Sequence, residues 1–558
     1  MMRETILSRL QPVLSKLGID ETPQLTRPAN SEHGDWATNI ALKCASKKGV
    51  APLELAETIA KNILIDEVVT RVIVAAPGFI NITLSDEALR SSLTETPEEV
   101  VGKNTVLIEF GQPNTHKSPH IGHLFSYIYG ESLARIYEAS GTRVIRANYQ
   151  GDIGLHVAKC LWAAKTRQSE IQDLTNPHSQ MLFLQSCYQQ GATRYEEDSA
   201  AKIEIDTLNR ALYEGTDEQL IALWQTTRGW CVDYYRQFEQ SLGISYDKSY
   251  FETDIAQHGL DIVQKHIPTV FSESDGAAIF KGEDEGLHTR VFINKHHNPT
   301  YEAKEVGLAF QKSSDFTFDQ AITTTASEQN EYMKVVYRAI EHIDPKLAAK
   351  LTHLGFGMIN LTSGKMSSRS GNIVTAFSLV DDVTQAISRE YGSEPSQAQI
   401  IALGAIKYAF LKSDYRANKL FDINTSVARE GDSGPYILYT YVRTQSVARL
   451  SSETNPENLQ ATKVESADAT LHEDERAILL LLQQEHDILI GAKTLYSPHI
   501  IAGYAYSLAQ AYNAFYQSCP ILKAAGSVKA FRLQLSNAVG QAIARQLNLL
   551  GIQTVDEM

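Results

Sequence analysis

The period of apolar positions changes several times along the chain, and each change predicts a different kind of element. "TVLIEF" (105–110) is a short, mainly apolar run, which reads as a strand. "IGHLFSYIYGESLARIYEAS" (121–140) has helical periodicity and stops at Gly141, and "RVIRANY" (143–149) predicts a second strand. Strand, loop, helix, glycine and strand make a βαβ unit, the building block of a parallel sheet. Residues of about 155–255 predict long polar helices that interrupt this pattern as an insertion. "AAIFKG", "TRVFIN" and "QAITTTAS" then resume strands, with helices between them. From about 395 to 558 the pattern is almost wholly helical, as in "ERAILLLLQQEHDILIGAK", and predicts an α-helical bundle. Before the βαβ unit, residues 1–95 predict a small mixed domain. It has an amphipathic first helix, a polar loop "SEHGDWATN", helices around 37–48 and 52–63, and two strands broken by "APGF".

Composition narrows the class. The 558 residues suggest several domains, and an apolar fraction of 43% is ordinary for a soluble protein with a large core. No run approaches the roughly 20 apolar residues a membrane span needs, and the N-terminus lacks a signal-peptide pattern. The five cysteines are scattered with no CxxC pair, which points to the reducing cytoplasm and away from disulfides or a zinc knuckle. A net charge of −15 disfavours unspecific coating of nucleic acid, but leaves room for one nucleic acid held on a local basic face. No repeat is present, and 452–472 is the best candidate for a flexible loop.

The stretch "PNTHKSPHIGH" (113–123) carries the densest chemistry. His116, His120 and His123 could be considered as metal ligands, but no further ligand follows at a recognised spacing and Lys117 stands where a carboxylate would help. A phosphate site fits as well as a plainly capped surface helix. The helix start offers free N–H groups, Gly122 allows close approach, and His120, His123 and Lys117 add donors and charge. A second loop, "GKMSSRSGN" (364–372), carries Lys365 and Arg369 among small residues, an anion clamp. The pair is far more specific than either stretch alone.

Together these stretches resemble the signatures of class I aminoacyl-tRNA synthetases, "HIGH" at 120–123 and "KMSSR" at 365–369. "EFGQPNTHKSPHIGHL", "HGDWATNIAL" (33–42), "APGFINITL" (76–84), "GDSGPYILYTYVRTQSV" (431–447) and "LNLLGIQTVDEM" resemble the arginyl members in particular, over nearly the whole chain. The resemblance implies an α/β fold: a Rossmann-type parallel-sheet catalytic domain (96–375) with the helical insertion, preceded by a small α+β domain (1–95) that contacts tRNA. A connecting stem (376–412) and an all-α anticodon-binding bundle (413–558) would follow. It implies that His120, His123, Lys117 and Lys365 are catalytic. ATP would be held by His120, Gly122, His123, Lys365, Ser367, Ser368 and Arg369, with the backbone of Gly357 and Met358 at the adenine. Arginine would be bound by Glu109, Asn114, Tyr301, Glu305 and Gln329.

For tRNA, Arg416, Lys419, Tyr436 and Arg443 are the main candidates on the bundle, beside Lys412, Arg449, Tyr439 and Tyr441. Trp36 and Asn39 are candidates on the N-terminal domain. The implied substrates are L-arginine, ATP with Mg²⁺ and tRNA(Arg), with no permanent cofactor, no metal ligand set in the protein, no membrane and a monomeric state. The chain departs from the family pattern at four places. Glu305 replaces the usual aspartate, Ser368 the second lysine of the KMSKS loop, Phe125 a common arginine, and "GDIG" (151–154) the usual GDWG. A catalytically degenerate tRNA-binding paralogue, or a class I synthetase for another amino acid, are the alternatives.

Overall fold

The computed structural model describes residues 2–28, 30–94, 102, 104–171, 173–362, 375–454 and 470–558. Lys365, Ser367, Ser368 and Arg369 lie outside the described residues, as does most of the expected loop at 452–472.

The apolar runs become a parallel sheet. Among the described residues it has five strands: β1 (Thr105–Glu109), β2 (Arg143–Gln150), β3 (Lys248–Phe251), β4 (Gln320–Ala326) and β5 (Leu351–Phe356). They lie in the order β5-β4-β1-β2-β3, and every pairing is parallel. Four of the five residues of β1 are buried, as a strand covered on both faces requires. The chain runs outward from β1 to β2 and β3, then returns on the other side as β4 and β5. The order therefore reverses beside β1, and ligands of such sheets bind outside the carboxyl ends of the strands at that switch point. Helix α1 (Ile121–Ala139) crosses from β1 to β2.

The insertion is built from α2 (Leu155–Thr166), α3 (Pro177–Glu197), α4 (Ser199–Glu214) and α5 (Glu218–Ser241). It ends earlier than the polar pattern predicts, because β3 and the start of α6 (Glu252–Lys265) belong to the sheet domain. Two of the expected strands also differ. Ala277–Phe280 and Arg290–Ile293 join Ser272–Ser274 in a separate antiparallel sheet, outside the parallel one. Helices α7 (Tyr301–Asp315) and α8 (Asn330–Ile343) flank β4 in the chain.

In the N-terminal domain the polar stretch 31–39 is not all loop. Trp36–Thr38 is a strand, buried at all three positions, and pairs with Phe79–Leu84 in a four-stranded antiparallel sheet. Trp36 is 2% exposed, so it is a core aromatic and not a tRNA contact.

The parts are tied together by side chains reaching across them. Arg476, in the C-terminal bundle, bonds Asp35 and Asp86 of the N-terminal part. Stem helix α9 (Pro395–Leu411) contributes Lys407, whose buried ammonium donates to the carbonyls of Leu242 and Gly551. From α1, the Ser132 hydroxyl donates to the Leu549 carbonyl at 2.8 Å, and the Arg135 guanidinium donates to Asn548 and to the Gly243 carbonyl. These cations sit at the carboxyl ends of α5 and of the last helix (Gly526–Leu549), where helix dipoles are negative.

Candidate functional site

The "PNTHKSPHIGH" stretch leaves β1 at the switch point and delivers its residues to three different places. His116 goes into the core. Its ring nitrogens contact the Thr115 hydroxyl at 2.8 Å and the Thr227 hydroxyl at 2.9 Å, and its backbone N–H donates to the Cys231 sulfur. Burial holds this ring far below the usual histidine range, at about 3. It is a structural histidine, not a ligand, and among the described residues no group of three His, Cys, Asp or Glu side chains could hold a metal ion.

A histidine kept neutral in the fold has a consequence for acid stability. Its folded pKa is depressed, so its contribution is fully present above the unfolded value near 6.5 and is lost as pH falls from there toward 3. At pH 5 this ring alone should cost about 2 kcal/mol relative to pH 7. Urea unfolding at the two pH values reads the difference, and equal midpoints would contradict it.

His120 and His123 form the entrance of α1. The His120 Nδ1 accepts the Gly122 N–H at 3.0 Å, and the His123 Nδ1 accepts the His120 N–H at 3.2 Å, a reciprocal cap. Both Nδ1 atoms are acceptors, so each neutral ring carries its proton on Nε2 and keeps an N–H donor for an anion. Burial, reinforced by the nearby Lys117 charge, lowers His120 to about 4. His123 is held well below its usual value by burial and then by His120 and Lys117. A Cβ at Gly122 would lie 2.9 Å from the His120 ring, so glycine is what lets that ring fold over the helix start. The Lys117 ammonium is lowered by burial and opposed by Glu252, and it has no ion-pair partner among the described residues.

Asn114 takes the third place. It bridges to Gly151 after β2, and the Thr115 N–H donates to the Gly151 carbonyl at 2.8 Å. A Cβ on Gly151 would meet the Asn114 Oδ1 at 2.3 Å, so glycine lets the Asn114 side chain lie against this loop. Next to it Asp152, fully buried, accepts from Arg228 of α5 at 2.7 Å and from the Thr253 N–H and hydroxyl at the start of α6. This holds the insertion against the sheet.

Beyond Asn114 lies a cluster of carboxylates. Glu109, 1% exposed, ends β1; it is paired with Lys312 of α7 and accepts from the Gln112 amide at 2.5 Å. Glu252 is paired with Lys304 of α7 at 2.8 Å, and Glu302 with Arg290 at 3.1 Å. Three carboxylates thus have three cations. Glu305, half-buried on the same helix, has none of its own among the described residues. Burial, and then the charge of Glu109, push its carboxyl up to about 8, with Lys312 opposing. With all four carboxyls ionised the cluster would be one positive charge short. Glu109, expected to bind arginine, is ion-paired with Lys312, and Glu305 is the carboxylate of the cluster without an ion-pair partner among the described residues.

The remaining expected residues are spread more widely. Tyr301, the first residue of α7, is 60% exposed at the rim of this cluster, with the Lys304 ammonium 5.3 Å from its ring. Gln329 is exposed in the short turn Ser327–Gln329 after β4. The backbone groups expected to face adenine are engaged: the Gly357 N–H donates to the Tyr415 carbonyl at 2.8 Å, and the Met358 N–H to the Asn418 side chain at 2.9 Å. The Met358 side chain is exposed.

Of the tRNA candidates, Lys419 is corrected. It is 7% exposed, and its ammonium donates to the Ser413 hydroxyl and carbonyl and to the Asp414 carbonyl. Arg416 is exposed and paired with Asp414. Arg443 lies 4.9 Å from the rings of both Tyr439 and Tyr516 and donates to Asn513, which in turn donates to the Tyr436 hydroxyl. Lys412 is paired with Asp432, and Arg449 with Glu557.

Sequence reasoning missed the buried cations Lys304 and Lys312, and Glu252 with them. The one available signal was the excess of charge along "YEAKEVGLAFQK" on a helix with apolar residues at Ala303, Val306 and Leu308.

The sequence was compared with known families and structures. A family described as tRNA synthetases class I (R), catalytic domain, matches residues 87–423. The Arginyl tRNA synthetase N terminal domain matches residues 2–84, and the DALR anticodon binding domain residues 437–558. An arginine--tRNA ligase of Flavobacterium psychrophilum is 30% identical over 484 residues, 81% of this chain and 79% of its own. One of Bacteroides thetaiotaomicron is 28% identical over 554 residues, 92% of each chain. The fold is similar to that of the Thermus thermophilus arginyl-tRNA synthetase, with a TM-score of 0.82 at 21% identity over 100% of both chains. A Plasmodium falciparum arginyl-tRNA synthetase gives a TM-score of 0.76 at 20% identity, over 100% of this chain and 99% of that one.

Proposed function

As the chain belongs to the arginyl-tRNA synthetase family, we propose that the crevice outside β1 and β4 is where arginine and ATP meet. The enzyme joins L-arginine to tRNA(Arg) in two steps, using ATP. In the first, an arginine carboxylate oxygen attacks the α-phosphorus, the bond to the bridging oxygen breaks, and pyrophosphate leaves. In the second, a ribose hydroxyl of the tRNA 3′ adenosine attacks the adenylate carbonyl, and AMP leaves.

The observation that carries the substrate assignment is Glu305, a carboxylate without its own cation in a cluster otherwise neutralised pair by pair. A guanidinium supplies the missing charge and a planar fork of donors. Asn114 is suited to the amino or carboxylate end of arginine, with Tyr301 and Gln329 closing the rim. Phosphoryl chemistry needs positioning and charge stabilisation more than covalent help. The two Nε2–H donors of His120 and His123 and the Lys117 ammonium are placed to supply both, with Lys365, Ser367, Ser368 and Arg369 of the second loop assigned to the same phosphates. Magnesium is taken to enter on the triphosphate. In the bundle, Arg416, Tyr436 and Arg443 remain the tRNA-facing candidates, Arg443 lying near the rings of two tyrosines, a group suited to a splayed base. The enzyme is proposed to act as a monomer in the cytoplasm.

Pyrophosphate exchange with each of the twenty amino acids, with and without total tRNA, tests this reading. Arginine alone should support exchange. No arginine-dependent exchange in the presence of tRNA would overturn it.

A further inference from the structure

Strand β2 carries a polar group that the reading above leaves unused. Tyr149 is the last but one residue of that strand, two positions beyond Ala147, which pairs with Glu109 across the sheet. Its ring belongs to the core cluster containing Tyr250, Ile255, Ala303 and Val306, and the residue is 8% exposed. Its hydroxyl is fully buried and has no hydrogen-bond partner among the described residues. The charges that act on it, in order, are those of Glu252 and Glu305, and behind Tyr332 that of Glu109. These are the carboxylates of the pocket already described. A buried hydroxyl beside so many acceptors would ordinarily bond one of them, since an unmade hydrogen bond is costly. This one bonds none among the described residues.

An arginine side chain brings five N–H donors. A carboxylate met in fork geometry takes two of them, leaving three that need other acceptors. The phenol oxygen is a neutral acceptor, so it can take one without adding charge to a cluster that a single guanidinium brings to balance.

We infer that the hydroxyl of Tyr149 is a further substrate contact, accepting one guanidinium N–H of arginine beside Glu305. The inference rests on the reading of the Glu305 pocket. Tyr149 is then a specificity residue of the first step, recognising the side chain far from the reacting carboxylate. Its contribution goes to arginine affinity and leaves the ATP site untouched.

The test is Tyr149→Phe in the full-length enzyme, followed by arginine- and ATP-dependent pyrophosphate exchange and by thermal unfolding with and without arginine. The arginine KM should rise about tenfold, with kcat and the ATP KM within twofold of wild type. Because the hydroxyl is unpaired without substrate, the free variant should melt no lower than wild type, while the extra stabilisation by arginine should shrink. An arginine KM within twofold of wild type overturns the inference, whether the hydroxyl proves to bond only water or, with a lowered melting temperature, to hold the fold. Glu305→Gln run in parallel separates the two readings. Loss there with a normal Tyr149→Phe removes only the tyrosine contact; normal arginine kinetics in both would remove the pocket assignment itself.

Discussion

Glu305→Gln should raise the arginine KM of pyrophosphate exchange by two to three orders of magnitude, with a much smaller effect on the ATP KM. The glutamine keeps the shape and loses the charge. Every other carboxylate of the pocket already has a cation, so none can take over: Glu109 is committed to Lys312, Glu252 to Lys304, and Glu302 to Arg290. Removing one member of a buried ion pair costs about 3–5 kcal/mol, which matches that range of affinity. The same carboxyl predicts a pH signature. In the free enzyme it is held up to about 8, and a bound guanidinium favours its ionised form. Arginine binding should therefore release a proton below pH 8, and the arginine KM should fall by up to tenfold per unit as pH rises from 6.5 toward 8. Above 8 it should level off. Calorimetry in buffers of different ionisation enthalpy counts the proton, and Glu305→Gln should abolish both the release and the slope. A flat profile in the wild type would remove Glu305 as the guanidinium partner.

Lys117→Ala should lower the kcat/KM of exchange for ATP about a hundredfold. One cation is missing from the second signature loop, where Ser368 stands for the usual lysine. Lys117 is the group able to replace it. It sits beside two neutral imidazoles, is largely buried, and has no carboxylate bonded to it among the described residues. A donor aimed at developing charge in a dry site contributes about 2.7–4 kcal/mol to the transition state when it acts alone, and neighbouring donors share that load here. Lys117→Arg, which keeps the charge, should recover part of the rate. An unchanged rate in Lys117→Ala would show that the charge is not relocated.

The βαβ unit was legible because its two strands and one helix are each long enough to show a period. Strand β3 was not. "KSYF" is four residues with one fully buried, and it follows directly on polar helices, so the insertion was read as running past it. Trp36–Thr38 was lost for a similar reason, three residues inside a stretch of polar ones. At the site, the histidines were legible because glycine and a helix start left few other roles for them. His116 was separable from the pair only by seeing Thr115 and Thr227 on either side of its ring. Lysines were the systematic error. Lys304, Lys312 and Lys419 look like solvated charges in one dimension, yet all three are buried and bonded. Lys419 places its ammonium 5.3 Å from the ring of Phe125, a cation brought to the first helix of the sheet domain from another part of the chain.

The bond from Ser132 to the carbonyl of Leu549 spans 417 positions of sequence. A ribosome makes the helix that starts at His120 long before it makes the turn that completes the helix's outer side. Until then Ser132 lacks its carbonyl acceptor, Arg135 lacks Asn548, and Lys407 lacks one of its two carbonyls. That side of the helix is therefore completed last even though it is translated early. A nonsense mutation in the final helix should disable amino-acid activation as well as tRNA binding.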